Sequence, residues 1–324
     1  MKETLIELHS VSKIYGDRKA VDELNLKIFQ GEIFGLLGPN GAGKSTTMLM
    51  ILGLTEASAG NIYVNGLSPY HSAIAVKREI GYLADAVGFY DHMTAHENLA
   101  FFASLNQIPR PQVGERVDQL LKLVGLSSVS HKKPSTFSRG MKQRLGIAQA
   151  LVKRPKILIL DEPTLGLDPS GVEELLQLVR DLNALFGITI IISSHQLDQV
   201  QKVCHRVGLF VEGKMEAVGS IADLSHQLIS KLGHQSSIWW HGEFNRGKSV
   251  LTESIIAQWP SATLSWTDQS VKISTPQFST PQLVKLCVEH GMSIKQVQSN
   301  DLTLEEIYGK YFTPEKNEPK SSGV

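Results

Sequence analysis

Gly38-Pro39-Asn40-Gly41-Ala42-Gly43-Lys44-Ser45-Thr46 decides how this chain reads. The stretch has the form G-x-x-x-x-G-K-[ST], the pattern of a phosphate-binding loop. The apolar run Ile33-Phe34-Gly35-Leu36-Leu37 before it suits a buried strand, and Thr47-Met48-Leu49-Met50-Ile51-Leu52 after it suits a helix. Strand, loop and helix in that order let glycine N–H groups curl round a phosphate while the helix N-terminus adds partial positive charge. Lys44 would then reach the β- and γ-phosphates of a nucleotide, and the Ser45 hydroxyl would ligate Mg²⁺.

Working outward, Leu5-Ile6-Leu8 and Val21-Leu24-Leu26-Ile28 alternate as paired edge strands within residues 2–9 and 21–29. Tyr15 lies between them. Its spacing fits a packing tyrosine at a strand end, or an aromatic face open to an adenine ring. Ala59 to Gly66 and Ile80-Gly81-Tyr82-Leu83 read as further strands, the second ending at Asp85. From His92 to about Leu126 the periodicity is helical. His92 and His96 stand four residues apart, but with no third ligand they do not make a metal site. Thr94-Ala95-His96-Glu97 instead has the form of a helix start. Ser138-Arg139-Gly140 opens another helix, as a plain cap or a second anion site.

Ile157-Leu158-Ile159-Leu160 is continuously apolar, like a strand buried on both faces, and ends in Asp161-Glu162. There Asp161 could hold Mg²⁺ through water, and Glu162 could act as a general base toward an attacking water. After a tight loop around Asp168 and a helix from about Val172 to Leu185, the strand Ile188 to Ile192 ends in Ser193-Ser194-His195. A histidine at the carboxyl end of a parallel strand faces the ligand crevice.

Composition sets the outer bounds. The chain has 324 residues, 42% hydrophobic and 20% charged, with 32 Lys+Arg against 32 Asp+Glu. Zero net charge gives no electrostatic case for nucleic acid, and none is expected as a partner. Two cysteines, Cys204 and Cys287, fit a reducing compartment. The N-terminus lacks the apolar core of a signal peptide, and no run of about 18 apolar residues is present to span a bilayer.

Together, over residues 3–220, these segments resemble the nucleotide-binding subunits of ATP-binding cassette (ABC) transporters. The phosphate loop from Gly38 to Ser45, the signature segment Phe137-Ser138-Arg139-Gly140-Met141, the strand Ile157 to Glu162, the loop at Asp168 and the histidine His195 follow the family's order. The resemblance implies a homodimer with each ATP sandwiched between protomers. It implies that Tyr15 stacks on adenine, that Ser138 and Gly140 of one protomer cap the γ-phosphate held by the other, that Asp168 couples the two sites, and that His195 senses the γ-phosphate. Asp85 stands where the family commonly has Gln, which implies a metal contact through a bridging water. It further implies a separate integral membrane permease of six helices, with any periplasmic partner reached through it, and a place at the cytoplasmic face of the inner membrane. An acidic residue at position 85, with a signature ending Gly-Met-Lys-Gln-Arg, resembles a bacterial branch that includes drug and sodium exporters. Residues 302–312 look like the C-terminus of the ATPase subunits that serve copper-site maturation of nitrous oxide reductase. A non-transport ATPase of the superfamily is the rival class. Only residues 46–136 separate the loop from the signature, with no sustained heptads, and the chain has one cassette.

The expected fold is therefore α/β: a P-loop NTPase of the ABC type over residues 1–220, with a helical subdomain at about 86–155. Residues 221–312 alternate as β-α-β-β-α-β plus a last helix, the order of a small ferredoxin-like α+β domain. Cys287 and His290 lie one helical turn apart there, too few ligands for a metal. Residues 313–324 are polar, with the composition of a mobile tail.

Overall fold

The computed structural model describes residues 3–224, 234–241, 244, 247–275 and 280–300. The chain divides into two compact units, residues 1–220 and 221–324. The helix expected at 302–312 and the tail at 313–324 lie outside the described residues.

The first unit begins with β1 (Thr4–Tyr15) and β2 (Arg18–Phe29), antiparallel partners flanked by β4 (Ala59–Val64) in a three-stranded sheet of order β2-β1-β4. Both strands are longer than alternation alone indicated. Register shifts around Leu8 and Val11 break the alternation. Ser10 and Glu23 take positive φ values of 46° and 48° there, so the strands pass through irregularities instead of ending.

The second sheet of this unit is organised round the phosphate loop. β3 (Ile33–Leu37), β5 (Ile80–Leu83), β6 (Ile157–Leu160), β7 (Thr189–Ser194), β8 (Arg206–Val211) and β9 (Lys214–Gly219) lie in the order β5-β6-β7-β3-β8-β9. All neighbouring pairs are parallel except β8 and β9. Every residue of β3, β6 and β7 is buried, as a strand covered on both faces requires. Within β6 the alternation survives: Leu158 and Leu160 enter the hydrophobic cluster on one face, Ile157 and Ile159 the cluster on the other. Truncating such a side chain to Ala typically costs about 2–5 kcal/mol.

Helices α1 (Lys44–Ile51), α2 (Ala73–Glu79), α3 (Ala95–Leu105), α4 (Arg110–Leu123), α5 (Arg139–Leu151), α6 (Pro169–Phe186) and the short α7 (Leu197–Gln201) complete the unit. The helical stretch from His92 consists of α3 and α4. Gln107 takes φ 61°, and Pro109 precedes the first residue of α4, so the helix breaks between them. Thr94 and Glu97 form a reciprocal capping box on α3. His96 is half-buried and lies 3.8 Å from Asp118. No cluster of metal-ligating side chains occurs among the described residues.

The second unit contains β10 (His234–Trp240), α8 (Lys248–Gln258), β11 (Thr263–Trp266), β12 (Ser270–Thr275), α9 (Thr280–Glu289) and β13 (Ile294–Asn300). Its sheet has the order β11-β12-β10-β13 with antiparallel neighbours. Ile238, Trp240, Leu251, Ile255, Leu283 and Cys287 form its core. Burial raises the Cys287 thiol to about 11, so it stays protonated at neutral pH. His290 is bonded to the Leu286 carbonyl and to Ser254.

Candidate nucleotide site

The parallel register aligns the carboxyl ends of three strands. Leu37 pairs with Ser194, and Leu160 with Ile192, so the loop after β3, the pair Asp161-Glu162 after β6 and His195 after β7 lie side by side. This is the rim where open α/β sheets bind ligands.

The loop needs its glycines. Gly43 has φ 114°, and a Cβ there would stand 2.5 Å from the Ala20 carbonyl oxygen. Gly38 meets the same limit, with the Phe210 carbonyl oxygen 2.5 Å from a would-be Cβ. The chain then enters α1 at Lys44, so the first N–H groups of that helix face the crevice. The Lys44 ammonium donates to the carbonyl oxygens of Gly38 at 2.6 Å and Pro39 at 3.2 Å. It also lies 3.4 Å from Glu162 Oε1.

Opposite the loop, Asp161 Oδ1 accepts hydrogen bonds from Ser45 Oγ at 3.2 Å and Ser193 Oγ at 2.7 Å. Ser193 Oγ in turn accepts from the Glu162 N–H at 2.8 Å, so one fully buried hydroxyl ties the two acids together. Glu162 has φ 46°, which turns the chain out of the extended line of β6. Its Oε2 is 2.9 Å from His195 Nδ1. Glu162 Oε1 is buried and makes no hydrogen bond among the described residues; the Lys44 ammonium is its ion-pair partner. Burial, and after it the negative charges of Asp161 and Asp85, push the Tyr82 phenol up to about 12.

These groups line one cavity of about 650 Å³. Asn40 to Thr46, Ala42 included, form one wall; Asp85, Asp161, Glu162 and His195 form another. Tyr15 stands at the mouth, 50% exposed, with the Lys13 ammonium 4.8 Å from its ring centre. At the end of β1 and half exposed, Tyr15 is not a core residue. Arg18, which the sequence does not single out, also lines the cavity and donates to the Gly41 carbonyl at 3.0 Å. The tight turn at Gly16 and Asp17 pairs Arg18 with Tyr15, and only that register brings it here.

The oxygen donors fit a hard cation. The Ser45 hydroxyl and the Asp161 carboxylate are within hydrogen-bond distance of each other, and Asp85 faces the same cavity.

Ser138, Gly140 and Asp168 are not in this cavity. They line a second, of about 250 Å³, with Gly171 and Glu174. Ser138 caps α5, its Oγ accepting from the Met141 N–H at 3.3 Å. Asp168 occupies the cap position of α6.

Comparison with known proteins places this geometry. The family model described as ABC transporter matches residues 21–165. The bacitracin transport ATP-binding protein BcrA of Bacillus licheniformis is 43% identical over 212 residues, 65% of this chain and 68% of that protein. The linearmycin resistance ATP-binding protein LnrL of Bacillus subtilis (strain 168) is 38% identical over 224 residues, 69% of this chain and 72% of that protein. Among solved structures, the dimeric post-hydrolysis ATP-binding cassette MJ0796 bound to ADP and Pi matches at TM-score 0.61 and 27% identity, covering 67% of this chain and 98% of that one. A phosphate loop facing two carboxylates, on a chain this similar to such proteins, identifies an ATPase: the chain belongs to the ABC transporter ATP-binding family.

Proposed function

We propose that residues 1–220 are the nucleotide-binding domain of a transporter subunit that works as a pair of identical chains and drives a separate membrane permease. The observation that supports this reading is the division between the two cavities. The phosphate loop, Asp161, Glu162 and His195 gather in one, while Ser138, Gly140 and Asp168 line another. Each chain then carries both halves of an ATP site, and a two-fold arrangement lets each half meet its complement on the second copy.

In that arrangement Tyr15 stacks on adenine, and the backbone from Gly38 to Thr46 cradles the phosphates. Lys44 moves from its carbonyl partners to the β- and γ-phosphates. Ser45 and Asp161 would hold Mg²⁺, with Asp85 reaching it through water. The chemistry the ion supplies when bound is neutralisation of charge on the phosphate oxygens. Glu162 orients a water and takes its proton as the water oxygen attacks the γ-phosphorus and ADP departs. His195 holds Glu162 on one side and meets the γ-phosphate on the other. Ser138 and Gly140 of the second copy cap that phosphate, and Asp168 links the paired sites.

The partner is proposed to be an integral membrane permease, with the subunit at the cytoplasmic face of the inner membrane and any periplasmic partner reached through the permease. No described helix is long and apolar enough to cross a membrane. For cargo, we favour an exporter of antibiotic-like compounds, because the relatives above are named for bacitracin transport and linearmycin resistance. Copper-site maturation of nitrous oxide reductase finds no support in these relatives, and the segment that suggested it lies outside the described residues. The second unit is proposed to be ferredoxin-like, on the strand order β11-β12-β10-β13 and its antiparallel pairing.

Two measurements test the reading. Glu162→Gln is expected to lower ATP turnover by about 10²–10⁴ while ATP binding persists. Full turnover in that variant removes Glu162 from the role. Purification of the tagged chain from detergent-solubilised membranes is expected to bring down a six-span protein. Recovery only from the soluble fraction, without such a protein, favours the non-transport ATPase.

A further inference from the structure

A cavity as large as the nucleotide site lies at the other ends of the same strands. It measures about 680 Å³, and its walls include Gln30 before β3, Pro155 and Lys156 before β6, and Gly187 and Ile188 before β7. The nucleotide site begins where these strands finish.

The floor is apolar. Leu120 of α4, Leu151 at the end of α5 and Leu182 of α6 are buried beneath it, and Phe186 stands at its edge, 58% exposed. Above the floor are two guanidinium groups. Arg116 donates to the carbonyl oxygens of Leu151 at 2.6 Å and Val152 at 3.2 Å, which fixes it against the end of α5. Arg154 takes φ 54°, and its side chain has no hydrogen bond or ion pair among the described residues. Neither guanidinium has a carboxylate partner among the described residues. Lys156 is engaged by Glu79 at 3.0 Å, and Glu3 is the one acid among the lining residues.

We propose that this cavity binds a small amphipathic phosphate: an alkyl or acyl chain over the leucine floor, with its head between Arg116 and Arg154. Each part of the ligand answers a feature of the site. A bare anion leaves the floor wet, and a neutral apolar molecule gains nothing from half-buried Arg116 or exposed Arg154 at the rim. A dianionic phosphate matches two guanidiniums in charge, and its oxygens accept from their planar forks of N–H donors. The walls come from several separate segments and enclose a pit, which suits a compact molecule rather than a helix laid along a groove. The volume falls in the range of small-molecule sites, about 300–1,000 Å³. The site also abuts the far end of α5, which Ser138 starts, and the approach to β6, which Asp161 follows.

The test is isothermal titration of the purified full chain with dodecyl phosphate below its micelle concentration. One saturable site is expected, with inorganic phosphate and dodecanol at least about tenfold weaker. Arg154→Gln, at a side chain without a polar partner among the described residues, should weaken dodecyl phosphate by about tenfold. Leu123→Glu, which sets a carboxylate in the wall, should abolish binding while the melting transition remains cooperative. Saturating ADP should leave the titration unchanged. Absence of binding, equal affinity for inorganic phosphate, indifference to Arg154→Gln, or displacement by ADP would each overturn the proposal. The last would place the probe on the phosphate loop, and none of these results bears on the roles of Lys44 or Glu162.

Discussion

Ser193 shows what a single residue contributes that no motif records. Its hydroxyl donates to Asp161 and accepts from the Glu162 N–H, so it fixes both acids at once. Ser193→Ala leaves the Glu162 N–H without its acceptor and Asp161 Oδ1 with Ser45 alone, and is expected to cost about 1–3 kcal/mol of stability. Chemical denaturation would measure that loss. Turnover should fall further than nucleotide affinity, because the phosphate loop itself is untouched. Gly43→Ala acts on the loop directly. With φ 114° and the Ala20 carbonyl in the way, the added methyl must displace backbone, so nucleotide binding should weaken by more than about tenfold in an equilibrium titration. Lys44, Asp161, Glu162 and His195 were legible in sequence because each ends or follows a distinct apolar run beside a motif. Ser193 and Arg18 were not. Their positions depend on the register between β6 and β7 and on the turn after Tyr15, which spacing along the chain does not reveal.

At the scale of elements, local chemistry explains most boundaries. Thr94 and Glu97 start α3 by satisfying each other's backbone donors at 3.2 and 2.7 Å. Thr94→Ala is expected to cost about 1 kcal/mol. For a unit of this size that lowers the melting temperature by about 2–4 °C, measurable by calorimetry. The four-residue run of β6 was readable as a doubly buried strand from its composition, and its two-faced packing bears this out. The true length of β1 and β2 was not readable, because irregularities at Ser10 and Glu23 interrupt the alternation without ending the pairing. The break between α3 and α4 was signalled by Pro109, yet apolar periodicity continued across it and masked the stop.

At the scale of the whole molecule, the fold presents the site at one rim of a parallel sheet and keeps Ser138, Gly140 and Asp168 in a cavity of their own. That separation is the physical reason for proposing a pair of chains. A single chain has no donor from Ser138 or Gly140 lining the nucleotide cavity, so hydrolysis is expected to rise more steeply than linearly with protein concentration until pairing saturates. The second unit has its own core and strand order, and its sequence pattern was legible as alternating strands and helices. A chain ending at residue 220 is therefore expected to bind ATP with affinity within about threefold of the full protein, an effect well under 1.4 kcal/mol.

The most direct test of the central claim is the solution mass of Glu162→Gln by sedimentation with and without ATP. Blocked cleavage keeps the nucleotide in place, so a species of twice the chain's mass is expected to form with ATP, to dissociate when ATP is removed, and to be lost when Ser138 is also replaced by Arg. A protein that stays at the mass of one chain at saturating ATP would contradict it.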